Sequence, residues 1–261
     1  MSRAELGVEA MSGHSKWSTI KRKKASNDAK RGAIFTRLAR EIALAAREGG
    51  GDIEVNFSLR LAVDKAKTEN MPKDNIERAI RRGTGEDKDS ATLEQIMYEG
   101  YAPHGVALLI DVVSDNRNRT VAELRHALSK AGGSMADAGS VSWQFRRTAY
   151  FYLAGEKLDT DKIFEVAVDG GADDVIIGDS DVEIIAPVDR FKILSDALRQ
   201  AGFSPDEAQA RMLANVEIEL ENEQTLKVMR VIEDLEDMDD VRGVFSNLNV
   251  TEDAVAMLET A

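Results

Sequence analysis

Apolar and polar positions alternate with a helical period through the first third of the chain and with a mixed period afterwards. From Arg31 to Glu48, Ile34, Leu38, Ile42 and Ala45 fall within an arc of about 80° at 100° per residue, and Arg37, Arg40 and Arg47 occupy a similar arc roughly opposite. This spacing predicts a helix that packs on one face and presents cations on the other. The run GGGD at Gly49 to Asp52 stops it. A second helix is predicted from Asn56 to Thr68, with Phe57, Leu61 and Ala62 inward. A third lies within Asn70 to Gly83, with Pro72 in its first turn and Gly83 as its C-cap. Its apolar stripe is Ile76, Ala79 and Ile80, and Arg78, Arg81 and Arg82 lie on the other side. Upstream, residues 12 to 24 show no apolar period and read as an extended arm running into a short helix near Ile20 to Lys30. Thr84 to Thr92 reads as a linker.

Beyond the linker the period changes. Gly105 to Val113 contains a continuous β-branched run, expected of a central strand buried on both faces. A helix from Asn118 to Ala131 follows, with Val121, Leu124, Leu128 and Ala131 on one stripe and Gly132 and Gly133 at its end. Strands are predicted at Ser140 to Phe145, Ala149 to Leu153, Asp174 to Ile177, Val182 to Ala186, Ala208 to Leu213, Val216 to Leu220 and Val241 to Leu248. Helices are predicted at Asp161 to Asp169, Asp189 to Ala201 and Glu223 to Asp237. From Ala149 the order is β-α-β-β-α-β, the ferredoxin-like order. The last elements complete nothing alone and are expected to pair back with those of Leu93 to Phe145. The expected fold is α+β: a helical N-terminal domain followed by two ferredoxin-like α/β domains, the third inserted into the second. The expected boundaries are 1–11 for an extension, 12–84 for the helical domain, 93–147 plus 215–255 for the split domain and 148–214 for the inserted one.

Charge sharpens this division. The 261-residue chain has a formal net charge of -13. Residues 1 to 90 carry 19 Lys+Arg against 14 Asp+Glu, whereas the remainder carries 15 against 33, a net of -18. An acidic protein with a basic head is suited to meeting a polyanion by one end. With no Cys there is no disulfide, thiolate nucleophile or Cys-ligated zinc, and a reducing cytoplasm is the simplest home. No apolar run approaches the roughly 18 residues of a membrane span.

Catalytic patterns do not emerge. His14, His104 and His126 have no zinc spacing, and there is no phosphate-binding or nucleophile-elbow glycine motif. The acidic run Glu233 to Asp240 reads as a charged helix face. No cofactor, metal, membrane or small-molecule substrate is expected. The chemistry-bearing stretch is Gly13 to Gly32, with His14, Lys16, Lys21, Arg22, Lys23, Lys24, Lys30 and Arg31 available to neutralise phosphates. Trp17 among them is either a plane for base stacking or a pin that holds the arm to the helices. Asn70, Met71, Pro72 and Lys73 form the expected exposed tip of the third helix. In Ser114 to Thr120, Arg117 and Arg119 at a helix start either hold a phosphate or pair with local carboxylates while Asp115, Asn116 and Asn118 cap the helix.

The segments GHSKW (Gly13 to Trp17), DAKRG (Asp28 to Gly32), GGGD (Gly49 to Asp52), NMPKDNIERAI (Asn70 to Ile80), YEGYAPHG (Tyr98 to Gly105) and SDNRNRTVAELRH (Ser114 to His126) together resemble the YebC/PmpR family, which includes a mitochondrial translational activator of cytochrome c oxidase subunit I. Residues 1 to 10 precede the family's usual Met start, and His104 stands where the family often has Gly. The resemblance implies a three-domain, non-catalytic bacterial protein of the cytoplasm. Its members are commonly labelled probable transcriptional regulators that bind DNA, and are also linked to the ribosome, where they help translation through proline-rich stretches. Cations spread over an arm and two helices suit phosphate and shape recognition of folded RNA better than base reading by a single recognition helix. The expected partner is therefore the ribosome, through ribosomal or transfer RNA, with promoter DNA as the alternative and an acidic protein as a further one.

Overall fold

The computed structural model describes residues 31 to 251 apart from 87 to 92, 156 and 179, together with 253, 254 and 257. The extension, the basic arm, the helix expected at Ile20 to Lys30 and most of the linker lie outside the described residues.

Three helices open the described chain: α1 (Arg31–Gly49), α2 (Phe57–Thr68) and α3 (Lys73–Thr84). Asn56 joins the first two. Its side-chain oxygen accepts the Leu59 N–H at 3.1 Å, and its amide donates to the carbonyls of Ala45 and Gly50. A buried amide with its donors and acceptor satisfied caps one helix and ties down the end of the other. Leu38 and Ile42 of α1, Leu59, Val63 and Ala66 of α2, and Ile76 and Ala79 of α3 build the core. The inward face of α2 is thus Leu59–Val63–Ala66, not the predicted Phe57 and Leu61. Phe57 instead turns outward to the ring of Phe191, edge-on at 6.3 Å. Helix α3 begins one residue after Pro72 and ends on Gly85, whose φ of 78° is the left-handed C-cap. Gly83, predicted to be that cap, lies inside the helix, where a Cβ would sit 2.2 Å from the Ala43 carbonyl oxygen. It lets α3 lie directly on α1.

A four-stranded antiparallel sheet follows, built from β1 (Glu94–Tyr101), β2 (Ala107–Ser114), β3 (Ser134–Met135) and β9 (Val241–Ser246), in the order β3-β1-β2-β9. Helices α4 (Arg117–Ala131) and α7 (Asn222–Glu236) cover one face, against Leu108, Ile110 and Val112. Strand β9 pairs with β2, so residues far apart in the chain share one sheet. Between them lie β4 (Phe145–Ala154), α5 (Thr160–Asp169), β5 (Asp174–Ile177), β6 (Asp181–Pro187), α6 (Phe191–Gln200) and β7 (Glu207–Ala214). These form a second sheet, β5-β6-β4-β7, which is the ferredoxin-like order. The first sheet reaches the same two-layer build by another order, with the β1–β2 hairpin at its centre and each crossover helix leading to an outer strand. Short β8 (Ile218–Glu219) and β10 (Leu248–Asn249) pair in parallel beside it.

The strand predicted at Ser140 to Phe145 is not formed: Ser142–Gln144 is a 3-10 turn, and β4 runs unbroken from Phe145. The cause is Glu99. Its carboxylate accepts the N–H groups of Gly139, Val141 and Ser142 at 2.6 to 3.0 Å, bending the loop around itself. Burial raises the Glu99 pKa, but these backbone donors outweigh it and hold the carboxyl below its ordinary value.

Strand β2 is buried at every position. On the face opposite α4 and α7, Ala107 and Leu109 meet Phe145, Met212 and Ala214 of the second sheet region, and Val113 meets Ala43 and Leu44 of α1. One strand is therefore common ground for all three parts of the molecule.

Candidate nucleic-acid interface

The predicted cations of the helical unit separate into two groups. The arginines of α1 face the sheet. Arg37 donates to the Glu236 carbonyl at the end of α7 at 2.8 Å, Arg40 donates to the Asp239 carbonyl, and Arg47 donates to the Leu93 carbonyl. Helix C-termini leave carbonyls without intrahelical donors, and cations are favoured there. Arg40 also pairs with Asp240 at 2.8 Å.

Asp240 organises this seam. Its carboxylate accepts from Arg119 at 2.7 Å, Ser114 Oγ at 2.8 Å and Thr120 Oγ1 at 2.5 Å, and its side chain is only 3% exposed. Burial pushes its pKa up, but the bonds from Arg119, Thr120 and Ser114 and the Arg40 charge outweigh this and keep the carboxyl below the usual carboxylate range. Nearby, Arg82 of α3 approaches Asp115 at 3.6 Å, which Arg119 also pairs at 3.3 Å. The seam is tight: the cavity lined by Arg37, Arg40, Val113 and Asp239 to Arg242 has about 10 Å³, room for one water at most. Arg37, Arg40, Arg47, Arg82 and Arg119 thus have work inside the molecule. The acidic run read as a charged helix face supplies the acceptors of Arg37, Arg40 and Arg119. Its complementarity to the α1 arginines is the one sequence signal that could have found Asp240.

The second group remains at the surface. Lys73, Arg78 and Arg81 of α3 are exposed, and Lys73 makes only a surface pair with Glu77 at 3.4 Å. Asn70 and Pro72 are exposed at the start of this helix, with Asn70 in the left-handed region at φ 59°. Met71, expected beside them, points the other way: at 6% exposure it belongs to the helical core with Ala66 and Ile76. Arg31 is the first residue of α1. His14, Lys16, Trp17, Lys21, Arg22, Lys23, Lys24 and Lys30 lie outside the described residues.

Arg117, unlike Arg119, takes no part in the seam; it is exposed, with Glu94 at 3.9 Å. His104 is an exposed turn residue at φ 64°, a conformation glycine adopts without strain. Among the described residues no three His, Asp or Glu side chains gather as metal ligands, and no described helix is long and apolar enough to cross a membrane.

A helical unit with surface cations, clamped to an acidic pair of sheets, defines a class: a modular α+β protein with one basic end. Two family models match it. "TACO1/YebC protein N-terminal domain" matches residues 15–86, and "TACO1/YebC second and third domain" matches residues 93–248. The chain belongs to the TACO1/YebC family. A relative from Borrelia turicatae is 48% identical over 93% of this chain and 99% of its own, and one from Acidithiobacillus ferrooxidans is 49% identical over 95% and 99%. Each of these proteins is named a probable transcriptional regulatory protein. The crystal structure of a conserved hypothetical protein from Aquifex aeolicus superposes with a TM-score of 0.78 at 36% identity, covering 86% of this chain and 93% of that one.

Proposed function

We propose that this chain is a non-catalytic nucleic-acid-binding regulator of gene expression, and that it acts on RNA of the translation machinery through its helical unit. The carrying observation is that once the docked arginines are set aside, the exposed cations of this unit that make no ion pair among the described residues, Arg78 and Arg81, both stand on α3, whose apolar side is fixed in the core, whereas Lys65 and Lys67 of α2 are paired with Glu41 and Asp64. The docked seam holds that helix in one orientation on the acidic body, as a positioning element requires. Asp74 and Glu77 lie among Lys73, Arg78 and Arg81 on the exposed side. Interleaved carboxylates disfavour insertion into a phosphate-walled major groove and are tolerated where contacts to a folded RNA are local. A long duplex would also run over the acidic remainder of the chain, whereas a compact RNA need not.

The test is co-sedimentation with ribosomes over a series of salt concentrations, with duplex DNA as competitor. Saturable binding that excess DNA does not displace, weakened about tenfold or more in Lys73→Glu/Arg78→Glu/Arg81→Glu, is the expected result. Equal binding by that variant would remove α3 from the interface. The relatives' names favour a second reading, a DNA-binding transcriptional regulator. Loss of ribosome binding to modest amounts of DNA, with preference for one duplex sequence over a scrambled one, would put it first.

A further inference from the structure

Strand β3 is only two residues long and pairs with Gly100 and Tyr101, so among the described residues the outer edge of β1 from Glu94 to Tyr98 has no strand neighbour. Beside this edge, α4 and Tyr98 line an open cavity of about 470 Å³, with Arg117, Asn118, Val121, Ala122 and Arg125 along its helical wall. That volume lies within the roughly 300–1,000 Å³ of small-molecule and cofactor sites.

The polar groups here are unspent. The Tyr98 hydroxyl is buried and has no hydrogen-bond partner among the described residues. A buried hydroxyl left unmatched costs on the order of 1–3 kcal/mol, so such a group calls for a ligand or a water. Arg125 is exposed and makes no ion pair among the described residues. Arg117 has only Glu94, at 3.9 Å between two largely exposed side chains. Arg119, two positions from Arg117, is by contrast committed to Asp240 and Asp115. The Arg82–Asp115 pair joins the end of α3 to the turn that precedes α4.

We infer that this cavity is a second nucleic-acid contact, which takes a short stretch of single strand: Arg117 and Arg125 each hold a phosphate, and the Tyr98 hydroxyl donates to the nucleotide between them. Arg117 and Arg125 stand eight residues apart, about 12 Å along the helix, which fits two phosphates of one strand and not a single ion. Val121 and Ala122 supply the small apolar wall that a ribose or base can lie against. This site rests on the reading of the chain as a nucleic-acid-binding protein and extends it beyond the helical unit.

Binding of the full chain to a labelled single-stranded RNA dodecamer, followed by fluorescence anisotropy over a salt series, tests it. Arg117→Gln/Arg125→Gln should weaken binding about tenfold and lower the salt slope by roughly 1.4, at about 0.7 per phosphate of a single strand. Lys227→Gln/Arg230→Gln, which removes the same charge from the exposed side of α7, should stay within about twofold. Tyr98→Phe should lose about two- to threefold with unchanged thermal stability. Inorganic phosphate should compete poorly. If the site variant matches the α7 variant, or if inorganic phosphate or poly-glutamate displaces the RNA as readily as unlabelled strand, the proposal falls. Loss in Lys73→Gln/Arg78→Gln/Arg81→Gln alone would leave the α3 reading standing without this site. Loss in the cavity variant alone would do the reverse, and absence of binding by the unaltered chain would overturn both.

Discussion

Arg40 and Arg81 belong to the same three-helix unit, and both stand on the polar side of an amphipathic helix. Arg40 is nearly buried against Asp240 and the Asp239 carbonyl, while Arg81 lies in solvent. Amphipathicity sets which side of a helix turns away from its own core, but not what that side meets. What separates the two is the presence of a matched acceptor set elsewhere in the chain: a backbone carbonyl and a buried carboxylate for one, and open surface for the other. A cluster of cations is evidence of an interface, and the distribution of acceptors decides whether the partner is the protein itself.

The comparison is broken most forcefully at Asp240. Asp240→Ala leaves Arg40 and Arg119 without their shared carboxylate and Ser114 Oγ without its acceptor, and should cost about 3–5 kcal/mol in urea unfolding, the range for removing one partner of a buried pair. Nucleic-acid affinity per folded molecule should not fall, since α3 is untouched. Gly83→Ala acts on the same unit from within. Its methyl group would meet the Ala43 carbonyl, forcing α3 off α1 at a cost of about 1–3 kcal/mol by the same measurement.

Acid sharpens the contrast. Asp240 and Glu99 have folded-state pKa values below their ordinary ones, so their contribution is complete above the unfolded value of about 4 and is lost as pH falls through the folded values. Thermal stability should therefore decline below about pH 4, and the decline should be shallower in Asp240→Asn, though from a lower starting point. His104→Gly relieves a left-handed residue at the surface and should raise stability by less than about 1 kcal/mol, measured by the unfolding midpoint. Arg78→Gln, at the exposed end of the comparison, should change stability by less than about 0.5 kcal/mol while lowering RNA affinity.

Much of the fold was legible because short-range pattern dictates it. The buried run of β2, the stripe of α4 and the hairpin of β5 and β6 each follow from spacing alone. What escaped depended on a group distant in sequence. The loop before β4 is bent by the Glu99 carboxylate, some 40 residues earlier, and nothing local to Ser140 to Phe145 announces that. Met71 reads as part of a polar tip until the turn at Asn70 swings it into the core. The α1 arginines were visible as a cationic face, but the acceptors of Arg37 and Arg40 lie at the other end of the chain, so their position was readable and their partner was not. The exposed cations of α3 needed no distant partner, and their place at the surface was legible from the helix itself.

That distance also has a meaning in time. Arg37 and the carbonyl it holds are 199 residues apart. At roughly 5–20 residues per second of synthesis, the helical unit emerges from the ribosome about ten to forty seconds before its clamp exists. Throughout that interval the nascent chain displays Arg37 and Arg40 together with Arg78 and Arg81, and only the stretch from Glu236 to Asp240 takes the first two out of circulation.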